Sequence, residues 1–272
     1  TTGALTTSGS NGSIQVGGER SYSTGANYVF NGSGSQVSGN GLPLTVNSLG
    51  VAGTSILNLN NTTISKSTPL TISGDLTISS DAGMTVGPVQ AVTVKSDVVN
   101  DGNLNLEADG TGMASLLIKG SYSGGGNTKS EIWMTGGEAG TEMWRWHYFA
   151  VPSQRSSASL AGSYGVDIMK YDDDVSLADK SDGWNWYDGY DGTTSFADLY
   201  TGNGYAFYND NNVTMELNGS SLLTSLGTVN LNYAKYGWNL IGNSLTCGLN
   251  WDSVTFDGQV DHSISFIKHY EE

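Results

Sequence analysis

Leu70-Thr71-Ile72-Ser73-Gly74-Asp75-Leu76-Thr77-Ile78 is echoed further on by Val92-Thr93-Val94-Lys95-Ser96-Asp97-Val98. Each triplet places apolar side chains at i and i+2 around a small polar residue, the alternation of a strand with one buried face. Similar triplets occur at Leu44-Thr45-Val46, Leu57-Asn58-Leu59, Met84-Thr85-Val86 and Leu104-Asn105-Leu106, and Leu117-Ile118 ends the series. The step from Leu70 to Val92 equals the step from Leu76 to Val98, and the step from Met84 to Leu104 is slightly shorter. Three short strands in a repeat of about 20–22 residues fit one coil of a right-handed parallel β-helix, in which a coil buries little until its neighbours stack on it. Gly74, Gly83, Gly87, Gly102 and Gly120 fall near the corners, and Asn100, Asp101 and Asn103 are suited to laddering between coils. Short, regularly spaced strands also occur in an antiparallel sandwich, and that alternative stays open on spacing alone.

The surrounding composition agrees with strands and turns. Gly, Ser, Thr and Asn dominate the first half, and the chain holds only four prolines. These residues weaken helices, and no window shows an amphipathic helical period. Near residue 140 the character changes: six of the seven tryptophans and eleven of the fourteen tyrosines follow Gly140. Gly136-Gly137-Glu138-Ala139-Gly140 reads as a linker, giving a solenoid over residues 1–138 and an aromatic-rich domain over 139–272. The segments 144–151, 166–171, 204–208, 213–217 and 237–242 read as longer strands of an antiparallel, jelly-roll-like β-sandwich. An open last coil needs a cap. The second half is expected to supply it, with Trp133 and Met134 as the plug and Trp144 or Trp146 beside them.

The formal charge of −15 is concentrated after residue 140, where 17 acids face 6 bases. Such a field disfavours nucleic acid and anionic membrane surfaces as partners. No apolar run is long enough to span a bilayer, so no membrane insertion is expected. Thr1 stands where an initiator methionine would, and the pattern is already under way there, so a piece of a longer or processed protein is expected. Cys247 is the single cysteine and has no partner for an internal disulfide.

Catalytic constellations do not stand out. Lys66, Lys95 and Lys119 are isolated, and Asp75, Asp81, Asp97, Asp101, Glu107 and Asp109 sit mostly at turns. Asp75 and Asp97, one repeat apart, are placed to stack on adjacent coils, sharing a proton or a cation or simply solvated at corners. His147 lies in an aromatic strand, and His262 and His269 near the end of the chain. No enzyme is expected. Asp172-Asp173-Asp174, with Asp188 and Asp191 further on, has the carboxylate density of a calcium loop without the spacing of an EF-hand. Trp184, Trp186, Tyr187 and Tyr190 lie in an acidic, Gly-containing stretch, and exposed aromatic faces stack on sugar rings. Trp238 and Trp251 read as core.

Further motifs carry a resemblance. Gly12-Ser13-Ile14-Gln15-Val16, residues 22–32 (Tyr22 to Gly32) and Gln36-Val37-Ser38-Gly39-Asn40-Gly41-Leu42-Pro43 resemble a repeat of large Bacteroidetes surface proteins. Trp146-His147-Tyr148 before Val151-Pro152, Met169-Lys170-Tyr171-Asp172, Gly202-Asn203-Gly204-Tyr205 and Gly237-Trp238-Asn239-Leu240-Ile241-Gly242-Asn243 before Trp251-Asp252 resemble a module of the same proteins. The family pattern has Asn-Pro where this chain has Asn243-Ser244. The resemblance implies export by the type IX secretion system, an extracellular or outer-membrane-surface location, and a structural or adhesin role. Partners would be extracellular glycans or other surface proteins, with glycan binding, in a calcium-dependent form or not, as the second reading. Asp252-Ser253-Val254 resembles the short O-glycosylation sequence of that phylum, with Ser253 as acceptor.

Overall fold

The computed structural model describes residues 4–8, 12–137, 145–164, 168–173, 183–187, 196–233 and 237–256. The first half is a β-solenoid of about five turns with three parallel sheets. The first sheet stacks Asn27–Phe30, Ser48–Val51, Leu76–Ile78, Val98–Asn100 and Tyr122–Ser123. The second stacks Ser33–Val37, Thr54–Asn58, Gly83–Val86, Asn103–Leu106 and Asn127–Met134, and the third Thr45–Val46, Leu70–Ile72, Ala91–Val94 and Ser115–Ile118. In the first sheet Asn27 lies beside Ser48, Leu49 beside Leu76, Leu76 beside Val98 and Val98 beside Tyr122, so the coil from Leu49 to Leu76 is the longest of the four. That long coil carries the extra loop before Pro69, pinned by buried Asn61, whose amide donates to Leu42 O at 3.0 Å.

The alternation read from the triplets sets the core. Ile72 stands beside Val94 on one inner face, and Leu57, Met84 and Leu104 form a column on another; all five are sealed from solvent. Leu76 stacks on Val98, whereas Ile78 meets Asn100. Asn100 is therefore buried, and its side chain links to the next coil from inside rather than at an exposed corner. It donates to Tyr122 OH at 2.9 Å and Asn127 O at 3.0 Å, and its Oδ1 accepts from Gly102 N at 3.2 Å. These bonds offset the cost of placing an amide inside. Gly102 is required by close packing: a Cβ there would lie 2.2 Å from Ala82 O and 2.3 Å from Ser79 O.

The corner aspartates do stack, but through backbone rather than through a shared proton. Asp75 Oδ1 accepts from Asp97 N at 3.2 Å, and Asp97 Oδ1 accepts from Ser121 N at 2.7 Å and Ser121 Oγ at 2.9 Å. Each carboxylate thus ties its corner to the next coil.

The second half is built onto the last coil. Val213–Gly219 runs antiparallel to Asn127–Met134 from Thr128 onward, with Met134 beside Val213 and Thr128 beside Gly219. His147–Phe149, Tyr205–Phe207, Ile168–Tyr171 and Trp184–Trp186 form a four-stranded antiparallel sheet in that order. Arg155–Ser156 pairs with Asp198–Leu199, next to the short helix Ser157–Tyr164. Met134, Met215 and Leu217 share a buried cluster with Phe149, Ile168, Tyr205 and Phe207, so the extended second sheet and the four-stranded sheet enclose one core. The expected strand at 237–242 is an isolated bridge, Asn203 with Ile241. Trp238 is 49% exposed and Trp251 lies on a partly exposed 3-10 turn, so neither is the core residue expected from its apolar neighbours.

The last coil is covered by the second half, but not with the expected plug. Val213–Gly219 takes the edge of the second sheet. Leu222 inserts into the solenoid core. Thr246 takes the edge of the third sheet, with Leu116 N donating to Thr246 O at 2.8 Å and Thr246 Oγ1 to Leu116 O at 2.9 Å. Met134 points into the second core, while Trp133 alternates outward, against Gly110 of the Ala108–Asp109/Gly112–Met113 hairpin. Trp144 lies outside the described residues, and Trp146 packs elsewhere, against Trp186 and Tyr208.

Two substitutions test this packing. Leu222→Ala should cost about 2–3 kcal/mol by leaving a cavity at the coil end. Gly102→Ala should cost about 1–3 kcal/mol by forcing two coils apart. Urea or thermal unfolding reads both, and an effect near zero in either variant would contradict the corresponding contact.

Candidate functional site

Strand alternation divides the four-stranded sheet into two faces. Phe149, Ile168, Tyr205 and Phe207 point into the core. The other face carries Tyr148, Ala206, Met169, Tyr171, Trp184 and Trp186, read from the register of the paired strands. Trp146 and Tyr208 continue it beyond the strand ends. Ring contacts join these side chains: Tyr148 and Trp184 lie 6.3 Å apart at 13° to each other, and Tyr171 meets Trp184 edge-on at 5.5 Å. Trp146 meets Trp186 at 5.7 Å and Tyr208 at 5.6 Å. Small Ala206 and pliant Met169 form the buried floor beneath them. Tyr148, 54% exposed, presents its ring to solvent next to the nearly parallel ring of Trp184. The result is an aromatic surface on a rigid sheet, set in an acidic domain.

Trp184 and Trp186 are thus strand residues rather than loop residues. Tyr187, which the sequence groups with them, turns the opposite way, packing on the core and against Phe196 at 6.2 Å. Tyr190 lies outside the described residues. Trp146, Tyr148, Tyr171 and Tyr208 join the surface although no sequence motif marks them as ligand-binding; their alternation with core residues in the same strands was the available signal.

Of the five candidate calcium ligands, Asp174, Asp188 and Asp191 lie outside the described residues. Asp172 pairs with Lys170 at 3.5 Å, and buried Asp173 accepts from Gly237 N at 2.8 Å. Among the described residues no group of three or more His, Cys, Asp or Glu is arranged to hold a metal ion. Ser253 is exposed, and its hydroxyl accepts from Asn250 Nδ2 at 2.9 Å. His147 Nε2 lies 2.8 Å from Thr135 O, and Cys247, whose thiol is pushed up by burial, is part-exposed beside the third sheet. His262 and His269 lie outside the described residues. No described helix is long and apolar enough to cross a membrane.

A charged group on the outside of the second sheet escaped the sequence reading. Lys129 Nζ bonds Glu131 at 2.7 Å and Glu216 at 3.3 Å. The Glu131 hydrogen bond, ahead of Glu216, holds the ammonium above the ordinary lysine value. Glu131 Oε2 also accepts from Ala108 N at 3.0 Å. Burial, then the neighbouring Glu131 carboxylate, pushes Glu107 up.

Comparison with known proteins yields no match: no family model, no curated protein and no solved structure matches the chain.

The carboxylates give opposite pH signatures. The Ser121 backbone N–H, then its hydroxyl, holds Asp97 down, so its contribution is present above the unfolded value and lost as pH falls through the folded one. Glu107 is raised, so its protonated form favours the fold, and stability is lost as pH rises through its folded pKa. Glu107→Gln should match the parent's melting temperature near about pH 3.5 and exceed it near about pH 7. A variant that melts lower at neutral pH would contradict the assignment.

Proposed function

We propose that this chain is a non-catalytic structural and adhesin-type module of a secreted bacterial surface protein, a rigid solenoid stalk carrying a display domain. The solenoid is right-handed, as parallel crossovers almost always are, and the second half is a jelly-roll-like sandwich grown from its last coil. The observation that carries this reading is the strand Asn127–Met134. Its first residues pair with Asn103–Leu106 of the solenoid, and Thr128 to Met134 pair with Val213–Gly219 of the display half. A strand shared in this way transmits force and orientation without a hinge. Gly136 and Gly137 add to the joint, since Gly136 N donates to Asn212 Oδ1 and Gly137 N to Asn209 O, both at 2.9 Å. The likeness to type IX-exported Bacteroidetes proteins supports an extracellular or outer-membrane-surface location.

Glycan recognition by the display domain is a second reading, favoured by the aromatic face around Tyr148 and Trp184. Apolar sugar faces stack on such rings, and an acidic domain selects neutral over anionic glycans.

Glycan-array binding should fall by about tenfold or more in Trp184→Ala and in Tyr148→Ala, with folding retained. Binding that is unchanged in both variants removes the aromatic face as a glycan site and leaves the structural reading of the display domain. Purified protein should release no product from a panel of polysaccharides. Reproducible turnover abolished by one Asp or Glu substitution would overturn the non-catalytic reading.

A further inference from the structure

On the outer face of the second sheet, where the last solenoid strands meet Val213–Gly219, lies an open groove of about 460 Å³. Its walls are Asn103, Asn105, Asn127, Thr128, Lys129 and Asn218, with Gly219 at the rim. The register makes an array of these residues. Asn105, Lys129 and Asn218 form one row across three neighbouring strands, and Asn103 and Asn127 form the next row. The rows are two positions apart on the same face, about 7 Å, and neighbours within a row lie about 4.8 Å apart.

The chemistry of the array is specific. Asn127 Nδ2 and Asn103 Oδ1 are 3.5 Å apart, a weak ladder bond. The side-chain amides of Asn105 and Asn218 make no hydrogen bond among the described residues, so each offers a donor and an acceptor. Lys129 reaches the same row, but Glu131 and Glu216 neutralise its charge. A phosphate or uronate would therefore find Lys129 already paired and would face the Glu131 and Glu216 carboxylates beside it. A peptide finds neither of its usual footholds. The inner floor strands are paired on both sides, the outer edge of Val213–Gly219 is met by side chains, with Glu216 N donating to Tyr164 OH at 2.8 Å and Asn218 O accepting from Arg155, and the walls lack an apolar pocket. Paired donor and acceptor groups without net charge are what vicinal hydroxyls require.

We propose that this groove is a binding site for a neutral, hydroxyl-rich oligosaccharide chain, held by the Asn105 and Asn218 amides and oriented along the amide rows. It is separate from the aromatic face, because it lies on the outer side of Asn127–Met134 and Val213–Gly219, whose inner side packs on the four-stranded sheet. A rod with one sugar site at its joint and another on its display face would engage a polysaccharide at two points and gain by avidity.

The test is titration of the full chain with cellohexaose, xylohexaose and mannohexaose, followed by calorimetry and by amide-resolved NMR. At least one should bind, shifting the side-chain amide signals of Asn105 and Asn218. Asn105→Ala with Asn218→Ala should weaken that binding by about tenfold or more, with an unchanged melting temperature. Asn218→Ala alone, at an exposed position, should give part of the loss, and Trp184→Ala should leave the Asn105 and Asn218 shifts in place. The assignment is overturned if none of the three binds, if binding survives the double substitution, or if only polygalacturonate or a peptide occupies the groove. Loss of the shifts in Trp184→Ala alone would also overturn it, by moving the sugar to the aromatic face.

Discussion

Everything in this molecule depends on the register in which one coil stacks on the next. A single coil has short strands and buries almost nothing. Stacked in register, the same residues seal Leu57, Leu70, Ile72, Leu76, Met84 and Leu104 completely. A slip of one residue would turn each of these outward. The corners protect the register by bonds that only the correct alignment allows, such as Asp97 with Ser121 and Asp101 with Gly125 N at 3.2 Å. Coil length can vary because the extra residues leave as a loop between strands.

Stacking also creates an end, and the second half is arranged around it. Asn127–Met134 begins as the last rung of a parallel sheet and finishes as half of an antiparallel pair. Its inward residues change accordingly, from Thr128 and Ser130 beside the solenoid to Ile132 and Met134 in the second core. Ser130 Oγ is buried there without a hydrogen-bond partner among the described residues, at the seam between the two apolar clusters. The cover comes from distant sequence: a strand, one leucine and a threonine, each meeting a different part of the exposed coil.

Two surfaces follow from this construction, and both are faces of sheets whose opposite side is core. The aromatic face is rigid because Phe149, Tyr205 and Phe207 anchor the strands that bear Tyr148, Tyr208 and their neighbours. The amide groove is rigid because its rows are spaced by backbone ladders. In each case the surface side chains are the residues alternate to the packed ones, so core and surface occupy the two phases of one pattern.

The triplets pointed to the solenoid, because strand alternation and coil length are local and repeat with the period of the fold, though the same spacing also suits a sandwich. They marked most inner residues as well, Ile72 and Val94 among them, but not Asn100, which takes the inner place beside Ile78. The composition change near residue 140 likewise announced a second, aromatic-rich half. What the local pattern does not hold is pairing between segments with no common period. Val213–Gly219 reads as a strand in the sequence, but nothing in it says that its partner is Asn127–Met134. Trp184, Trp186 and Tyr187 look equivalent in the chain, yet the first two face outward and the third faces the core, because the sheet beneath them sets the phase. Trp238 has the neighbours of a core residue and lies exposed, since its segment makes a single bridge instead of a strand. Asn105 and Asn218 are far apart in the chain, and only the antiparallel closure of the last coil brings them into one row on either side of Lys129. Local periodicity encodes which side of a strand is apolar; which strands become neighbours is decided by the tertiary contacts that seal an otherwise open end.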